Sequence, residues 1–564
     1  MSWPRPVWSR SPNRVGAGGS DRSGQGAEKG GVVADIVGGD TLRSLWDRLE
    51  RTCGDREFLV FLDRWGNERT YTYRSFNREI NRAANLFLSM GIERGERVAV
   101  QMRTCPEFIM CLFGLAKIGA VMVPMNEQYL ADEVAYALER TGATCAVVEE
   151  DFAGIYRGLS ERRAIVPKGV LVVRRGRDGV FRTGAEQGFP PGFGRGFSDF
   201  DRARASQPAE LAEARLLSSD DVAEIMFTSG TTACPKGVVL THANMLFSGA
   251  YGAWEVSLGS QDRLLTTMPA CHSNFQLAAL TPVLAAGAAL IVVERYSASR
   301  FWGQIRGYRA TVAQCVAMML RTLLLQPVDP DERDHCLRTM LYFLAVSDDE
   351  KERFEARYRV SIANTYGSTE SVGWVLTDPP TGQRRWPSVG RPGLGYEVRI
   401  MRDDGKPADA REVGEIQVLG VRGRTVMKGY FDDPEETART FTADGWMRTG
   451  DKGYMDEDGW FFFVDRKSNM IKRAGENISA SEVERVLVQH PDIDEAAVIG
   501  VPDPIRDQAV KAFVKPVSGR VVTEGDVVSF CEQRMAGFKV PSFVQIVADF
   551  PRTCSMKIEK RLLR

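Results

Sequence analysis

The sequence predicts an α/β protein, with a large N-terminal domain of helix-covered mixed and parallel sheets and a small α+β C-terminal domain. Three observations carry the fold class. The chain has 564 residues, beyond the size at which one core keeps growing, so at least two domains are expected. From Arg97 to Val148, short apolar runs alternate with segments of helical spacing, the pattern of parallel strands covered by helices. The stretch Met226 to His242 places a hydroxyl- and glycine-rich turn between two apolar runs, which makes it the natural centre of the chain.

Bulk composition narrows the function classes. Hydrophobic content of 43% and charged content of 26% are ordinary for a soluble globular protein. A net charge of −1 argues against a general nucleic-acid or anionic-membrane binder. The ten cysteines form no C-x-x-C pair and there are four histidines, so free thiols in a reducing cytoplasm are expected rather than a structural zinc site. Residues 1–39 are rich in Gly, Ser, Arg and Pro, lack the apolar core of a secretory signal, and are expected to be a disordered extension. Ser2 does not suit myristoylation, and the Leu-Leu-Arg ending is not the peroxisomal address.

Taken in order, the first helix is expected near Thr41, where Leu42, Leu45, Trp46 and Leu49 recur at helical spacing. Thr70 to Tyr73 reads as a strand. Phe76, Ile80, Ala83, Ala84, Phe87 and Leu88 trace a helix face that Gly91 ends. A strand Arg97 to Gln101, a helix Pro106 to Ile118, a strand Ala120 to Pro124, a helix Leu130 to Arg140 and a strand Cys145 to Val148 follow. From Phe152 to about Leu216 the pattern decays into a surface excursion with one strand, Gly169 to Val173. Ser273 to Val293 is uncharged, but Asn274, Gln276, Pro282 and Gly287 argue against membrane insertion. A helix Leu277 to Leu284 and a buried strand Ala289 to Val293 fit better. Helices at Phe301 to Tyr308, Leu320 to Leu325 and Glu350 to Tyr358 alternate with strands Ala310 to Cys315 and Tyr342 to Val346. Ser479 with Glu482 is expected to make a capping box, and beyond it strands and helices describe a compact α+β unit.

Two constellations carry chemistry. In Thr228-Ser229-Gly230-Thr231-Thr232, hydroxyls and a glycine can wrap a polyphosphate, with Lys236 as a point charge. The loop is not a Walker A motif, because no hydroxyl follows the lysine. Taken alone, such a stretch reads as a hairpin turn. In Asn364-Thr-Tyr366-Gly367-Ser-Thr369-Glu370, a strand end passes into a turn. Tyr366 supplies a face for a purine, Asn364 an amide for its edge, Thr369 a hydroxyl for phosphate and Glu370 a hard ligand for magnesium. Asp451, in Thr-Gly-Asp, has lone pairs for two ribose hydroxyls.

The order Thr-Ser-Gly-Thr-Thr-x-x-Pro-Lys-Gly resembles the phosphate-loop signature of the adenylate-forming superfamily: acyl-CoA synthetases, nonribosomal-peptide adenylation domains and firefly-type luciferases. Tyr-Gly-x-Thr-Glu, Gly414-Glu-Ile416 and Trp446-Met-Arg-Thr-Gly-Asp451 match further elements in order, and the resemblance spans Thr41 to Arg564. Arg384 to Gly390, Phe301-Trp-Gly303 and Asn469 to Arg473 look most like crotonobetaine/carnitine–CoA ligases. The resemblance implies an AMP-binding domain over 40–467 and a mobile C-terminal lid over 468–564. It implies that Arg466 touches the ribose, Ser468 is the hinge, Gly475 lines a pantetheine tunnel, Lys472 approaches coenzyme A, and Lys557 is the adenylation lysine. His272 would border the carboxylate pocket. Ser468 stands where Asp or Lys is common, Ala474 where Gly is frequent, and Met556 where the lysine motif has Gly.

The implied reaction uses ATP, Mg2+ and coenzyme A. A small carboxylic acid becomes an acyl-adenylate with release of pyrophosphate, and the coenzyme A thiol then displaces AMP. Thr228, Lys236, Glu370 and Lys557 would carry the catalysis. Trp254, Trp302, Trp374 and Tyr251 lie in segments that could line a pocket for a quaternary ammonium. A medium-chain or aromatic acyl-CoA ligase, a catalytically impaired nucleotide-binding paralogue, a carrier-dependent adenylation module and a luciferase-like oxygenase stay open at this point. So does a homodimer.

Overall fold

The computed structural model describes residues 36–162, 166–175, 196–228, 235–343, 346–466, 470–551, 558 and 560–563. Ser229 to Thr232, Ser468, Met556 and Lys557 lie outside the described residues, as do residues 1–35 of the expected N-terminal extension.

The chain becomes helical where the sequence calls for it. The helix Leu42–Cys53 opens on a capping box: the Ser44 amide donates to Thr41 Oγ1 at 3.2 Å, and the Thr41 amide to Ser44 Oγ at 2.9 Å. Its apolar stripe, with that of Tyr73–Ser89, buries Trp46, Phe76 and Phe87 in one core. The helix Pro106–Ile118 is buried on all sides and stops at Gly119, whose φ of 75° favours glycine.

Among the described residues two large sheets form the N-terminal part. In the first, Ser361–Tyr366, Thr339–Phe343, Val312–Val316, Arg263–Thr266, Ala289–Val293 and Glu57–Leu62 run parallel, with antiparallel strands at both edges. In the second, Val222–Thr228, Val121–Met125, Arg97–Gln101, Cys145–Glu149, Val170–Val173 and Phe197–Asp199 are parallel, and Lys236–Thr241 returns antiparallel beside Val222–Thr228. A smaller antiparallel sheet joins Glu397–Met401, Gly414–Leu419, Trp446–Met455 and Phe461–Arg466. The mixed α/β fold agrees with the sequence reading.

The C-terminal part has its own core around Ile471, Ile478, Val483, Leu487, Val498 and Val510. The hairpin of Met470–Arg473 and Glu476–Ser479 lies on one side of its sheet, next to Asp507–Pro516.

Several local expectations change, and the strand read over Tyr342 to Val346 is Thr339–Phe343. The strand Glu57–Leu62 and the helix His242–Glu255 were not legible, because the first is short and the second is apolar on nearly every face. The segment from Phe152 to Leu216 contains more than one strand: Ala153–Arg162 and Phe200–Ala205 are helices, and three-residue Phe197–Asp199 extends the sheet edge. A strand that short carries no readable alternation. The uncharged span starts its helix at Ser273 rather than Leu277, passes through a π-turn at Gln276–Leu280, and ends at Gly287. No helix of the described residues is long and apolar enough to cross a membrane.

Candidate active site

A cavity of about 560 Å³ opens where strand ends of both large sheets meet the C-terminal part. Thr228 ends one strand, Val316 another, Thr267 follows a third and Gly367 a fourth, so carboxyl ends of strands converge on it. From the C-terminal part, Arg473, Ala474, Gly475, Glu476 and Asn477 border the same space. Ala474 holds φ at 52°, a left-handed conformation that favours glycine, and Gly475 follows at 93°.

Residues distant in sequence meet here. Thr228 Oγ1 donates to Glu370 Oε1 at 3.3 Å, and the Tyr430 hydroxyl donates to the same oxygen at 3.1 Å. Thr369 Oγ1 lies 3.4 Å from Ser273 Oγ. The Tyr366 hydroxyl donates to Asp451 Oδ2 at 2.7 Å, and the Tyr366 ring lies against Phe463. The backbone of Arg466 sits opposite Asp451 across the ladder.

The two parts of the chain are tied at the cavity rim. His272 Nε2 lies 3.0 Å from Glu476 Oε1, and Asn126 Nδ2 reaches the same oxygen at 3.5 Å. Burial would push the imidazole down, but the adjacent Glu476 carboxylate outweighs it and raises the His272 pKa. Glu476 is held low in turn: burial raises it, and the His272 charge and hydrogen bond bring it down. Behind this contact, Lys539 Nζ donates to Glu133 Oε1 at 2.5 Å and Glu482 Oε1 at 2.7 Å. Burial opposes its charge, yet Tyr129 and the two carboxylates raise its pKa. Arg321 adds a bridge to Asp507 at 2.6 Å.

Not every expected residue faces the cavity. Asn364 Nδ2 donates to the Ser388 carbonyl at 2.9 Å in a buried position, which commits one of its two amide hydrogens to the fold. Lys236 pairs with Glu436 and lies over the Tyr430 ring. Lys472 lies over the Phe463 ring at 4.6 Å, while its successors line the cavity. Of the four aromatics expected in an acyl pocket, Trp374 borders the cavity. Trp302 stacks on Tyr358 and on His335 instead, and Tyr251 packs in the core against Trp254 and Tyr396. Glu476 and Lys539 were missed, since a single Glu or Lys gives no signal before the chain is folded.

A lone carboxylate backed by hydroxyls, as at Glu370, suits a magnesium ion that keeps its waters and shares substrate phosphates.

Residues 45–431 match the family described as AMP-binding enzyme, and residues 482–557 match the AMP-binding enzyme C-terminal domain. The chain is 45% identical over 530 residues to a crotonobetaine/carnitine–CoA ligase of Salmonella paratyphi A, covering 94% of this chain and 100% of the relative. Its fold is similar to a double mutant of the o-succinylbenzoate CoA synthetase of Bacillus subtilis bound with its product analogue. That match has a TM-score of 0.79 at 25% identity over 92% of this chain and 98% of that one. The same Bacillus enzyme in complex with AMP gives a TM-score of 0.64 at the same identity and coverage.

Proposed function

The chain belongs to the AMP-binding enzyme family, and from that premise we propose that it activates a small carboxylic acid bearing a quaternary ammonium, of the crotonobetaine or carnitine kind. It is an ATP-dependent acyl-CoA ligase. The acid attacks the α-phosphate of ATP, pyrophosphate leaves, and the thiol of coenzyme A then takes the acyl group and releases AMP.

The observation that carries the reading is the shared cavity, where Thr228, Glu370, Asp451 and His272 meet Arg473 to Asn477. In this reading Asp451 and Tyr366 hold the nucleoside, while Thr228, Thr369 and the loop 229–232 hold phosphates. Glu370 would hold magnesium, which supplies neutralisation of phosphate charge. Lys557 would act in adenylation. The docked segment 473–477 would shape the passage for the thiol. The higher TM-score to the product-analogue complex than to the AMP complex of one enzyme supports reading this arrangement as the one for thioester formation.

Trp374, Tyr296, Met268, Met318 and Met319 are among the residues that line the cavity and give it aromatic and polarizable surface for the acyl group. A quaternary ammonium over an aromatic face gains about 0.5–2 kcal/mol, which supports the substrate class that the relative's name suggests. The described cysteines are free, which supports a cytoplasmic location. Acid-dependent exchange of pyrophosphate into ATP tests the first step. Exchange with crotonobetaine, carnitine or butyrobetaine is expected, and its absence with all three acids would remove the proposal.

A further inference from the structure

We propose that Glu224 and Gln276 form a reciprocal carboxylic acid–carboxamide pair that positions the strand feeding the phosphate loop against the turn carrying His272. Glu224 lies in Val222–Thr228, four residues before Thr228 at the cavity. Gln276 opens the π-turn four residues after His272. Both side chains are fully buried. Gln276 Nε2 donates to Glu224 Oε1 at 2.8 Å and to the Ala270 carbonyl at 3.1 Å, so its amide grips both the strand and the turn.

Two atoms are left over. Glu224 Oε2 and Gln276 Oε1 are both buried and have no hydrogen-bond partner among the described residues. Both are acceptors when Glu224 is ionised, and burying two acceptors without a donor is costly. A proton on Glu224 Oε2 supplies the missing donor. It closes a ring in which the amide N–H meets one carboxyl oxygen and the carboxyl O–H meets the amide oxygen. A π-turn, rare within helices and frequent at functional sites, sets the amide at this point.

The surroundings favour the neutral acid. Met122 and Leu240 flank Glu224 on the adjacent strands. The helix Pro106–Ile118 packs on this strand, but its Glu107 is turned to Arg69 and its Lys117 to Asn77 and Asn81. Lys236 on the neighbouring strand is held by Glu436, and the helical segment from Ser273 to Ala286 carries no charge. Burial therefore pushes Glu224 up to about 8.

The test compares full-length wild type, Glu224→Gln, Glu224→Ala and Gln276→Leu. Glutamine at 224 offers an N–H where the acid offers O–H, so it keeps the ring without titrating. Glu224→Gln is expected to retain wild-type kcat/KM for the acid in pyrophosphate exchange and to lack the decline above pH 8 that is expected of wild type. Glu224→Ala and Gln276→Leu are expected to lose on the order of tenfold to a hundredfold. The second readout is thermal stability, which does not depend on the functional reading. Glu224 keeps its proton to about pH 8 when folded and releases it near the ordinary 4.5 when unfolded. Its stabilisation is therefore full below that ordinary value and is lost progressively as pH rises towards 8. The Tm of wild type relative to Glu224→Gln should fall across that window and level off above it. Parallel Tm curves, or a Glu224→Gln variant as impaired as Glu224→Ala, would overturn the pair. If wild type shows no exchange, the functional reading fails, and the Tm comparison still decides the pair.

Discussion

His272 Nε2 and Glu476 Oε1 meet at 3.0 Å, joining the turn after one parallel strand to a hairpin 204 residues further along the chain. The contact lies on the cavity wall, so it reports how the C-terminal part is seated. It is partly open to solvent, which limits its strength.

The charge state of this pair sets a pH window. The raised His272 pKa means the ion pair is present below that value and is lost as pH rises through it. The lowered Glu476 pKa means it is lost again as pH falls through that value. Glu476→Gln is expected to slow thioester formation about two- to fivefold and to remove the alkaline limb of that step, with adenylate formation unchanged. Single-turnover conversion of supplied acyl-adenylate, followed against pH, checks this. An unchanged pH profile would contradict it.

Glu133→Gln should also separate the half-reactions. Lys539 keeps Glu482 within its own part of the chain and loses only the partner across the interface. Thioester formation is expected to slow while acid-dependent pyrophosphate exchange holds. Lys539→Ala should behave differently and lower Tm as well, because breaking a buried pair costs about 3–5 kcal/mol.

Glu370→Gln is expected to impair adenylation by weakening magnesium binding, while ATP affinity measured without metal changes little. Equal loss of metal-free ATP binding would assign Glu370 to the support it gives Thr228 and Tyr430.

Lys557→Ala is expected to reduce adenylate formation on the order of a hundredfold or more and still convert supplied acyl-adenylate to thioester. Lys472→Ala should show the milder, opposite bias. Ser468→Pro, by fixing the backbone, should slow the second step more than the first. Equal slowing of both steps by Lys557→Ala would make that lysine structural.

What was legible in the sequence follows from locality. Thr41, Gly119 and Ser479 act on residues within one turn of themselves, so their caps could be read from spacing. Thr228, Glu370 and Asp451 sit in contiguous motifs, which made them candidates before any contact was known. Asn364 belongs to such a motif too, yet the Ser388 carbonyl claims one of its amide hydrogens, a partner that only the folded sheet brings near. Trp302 illustrates the same limit: its ring is used by Tyr358 and His335, from elements separate in sequence. Glu224 was one charge breaking an apolar run, and the amide that completes it lies 52 residues away.

The central claim is tested most directly by incubating the full-length protein with ATP, magnesium, coenzyme A and a single acid, and detecting the thioester by mass alongside AMP. The acids compared are crotonobetaine, carnitine, butyrobetaine and octanoate. The account predicts a coenzyme A thioester of at least one of the three quaternary-ammonium acids, with AMP formed in equal amount. Thioester from octanoate with none from those three, or AMP release without any thioester, would contradict it.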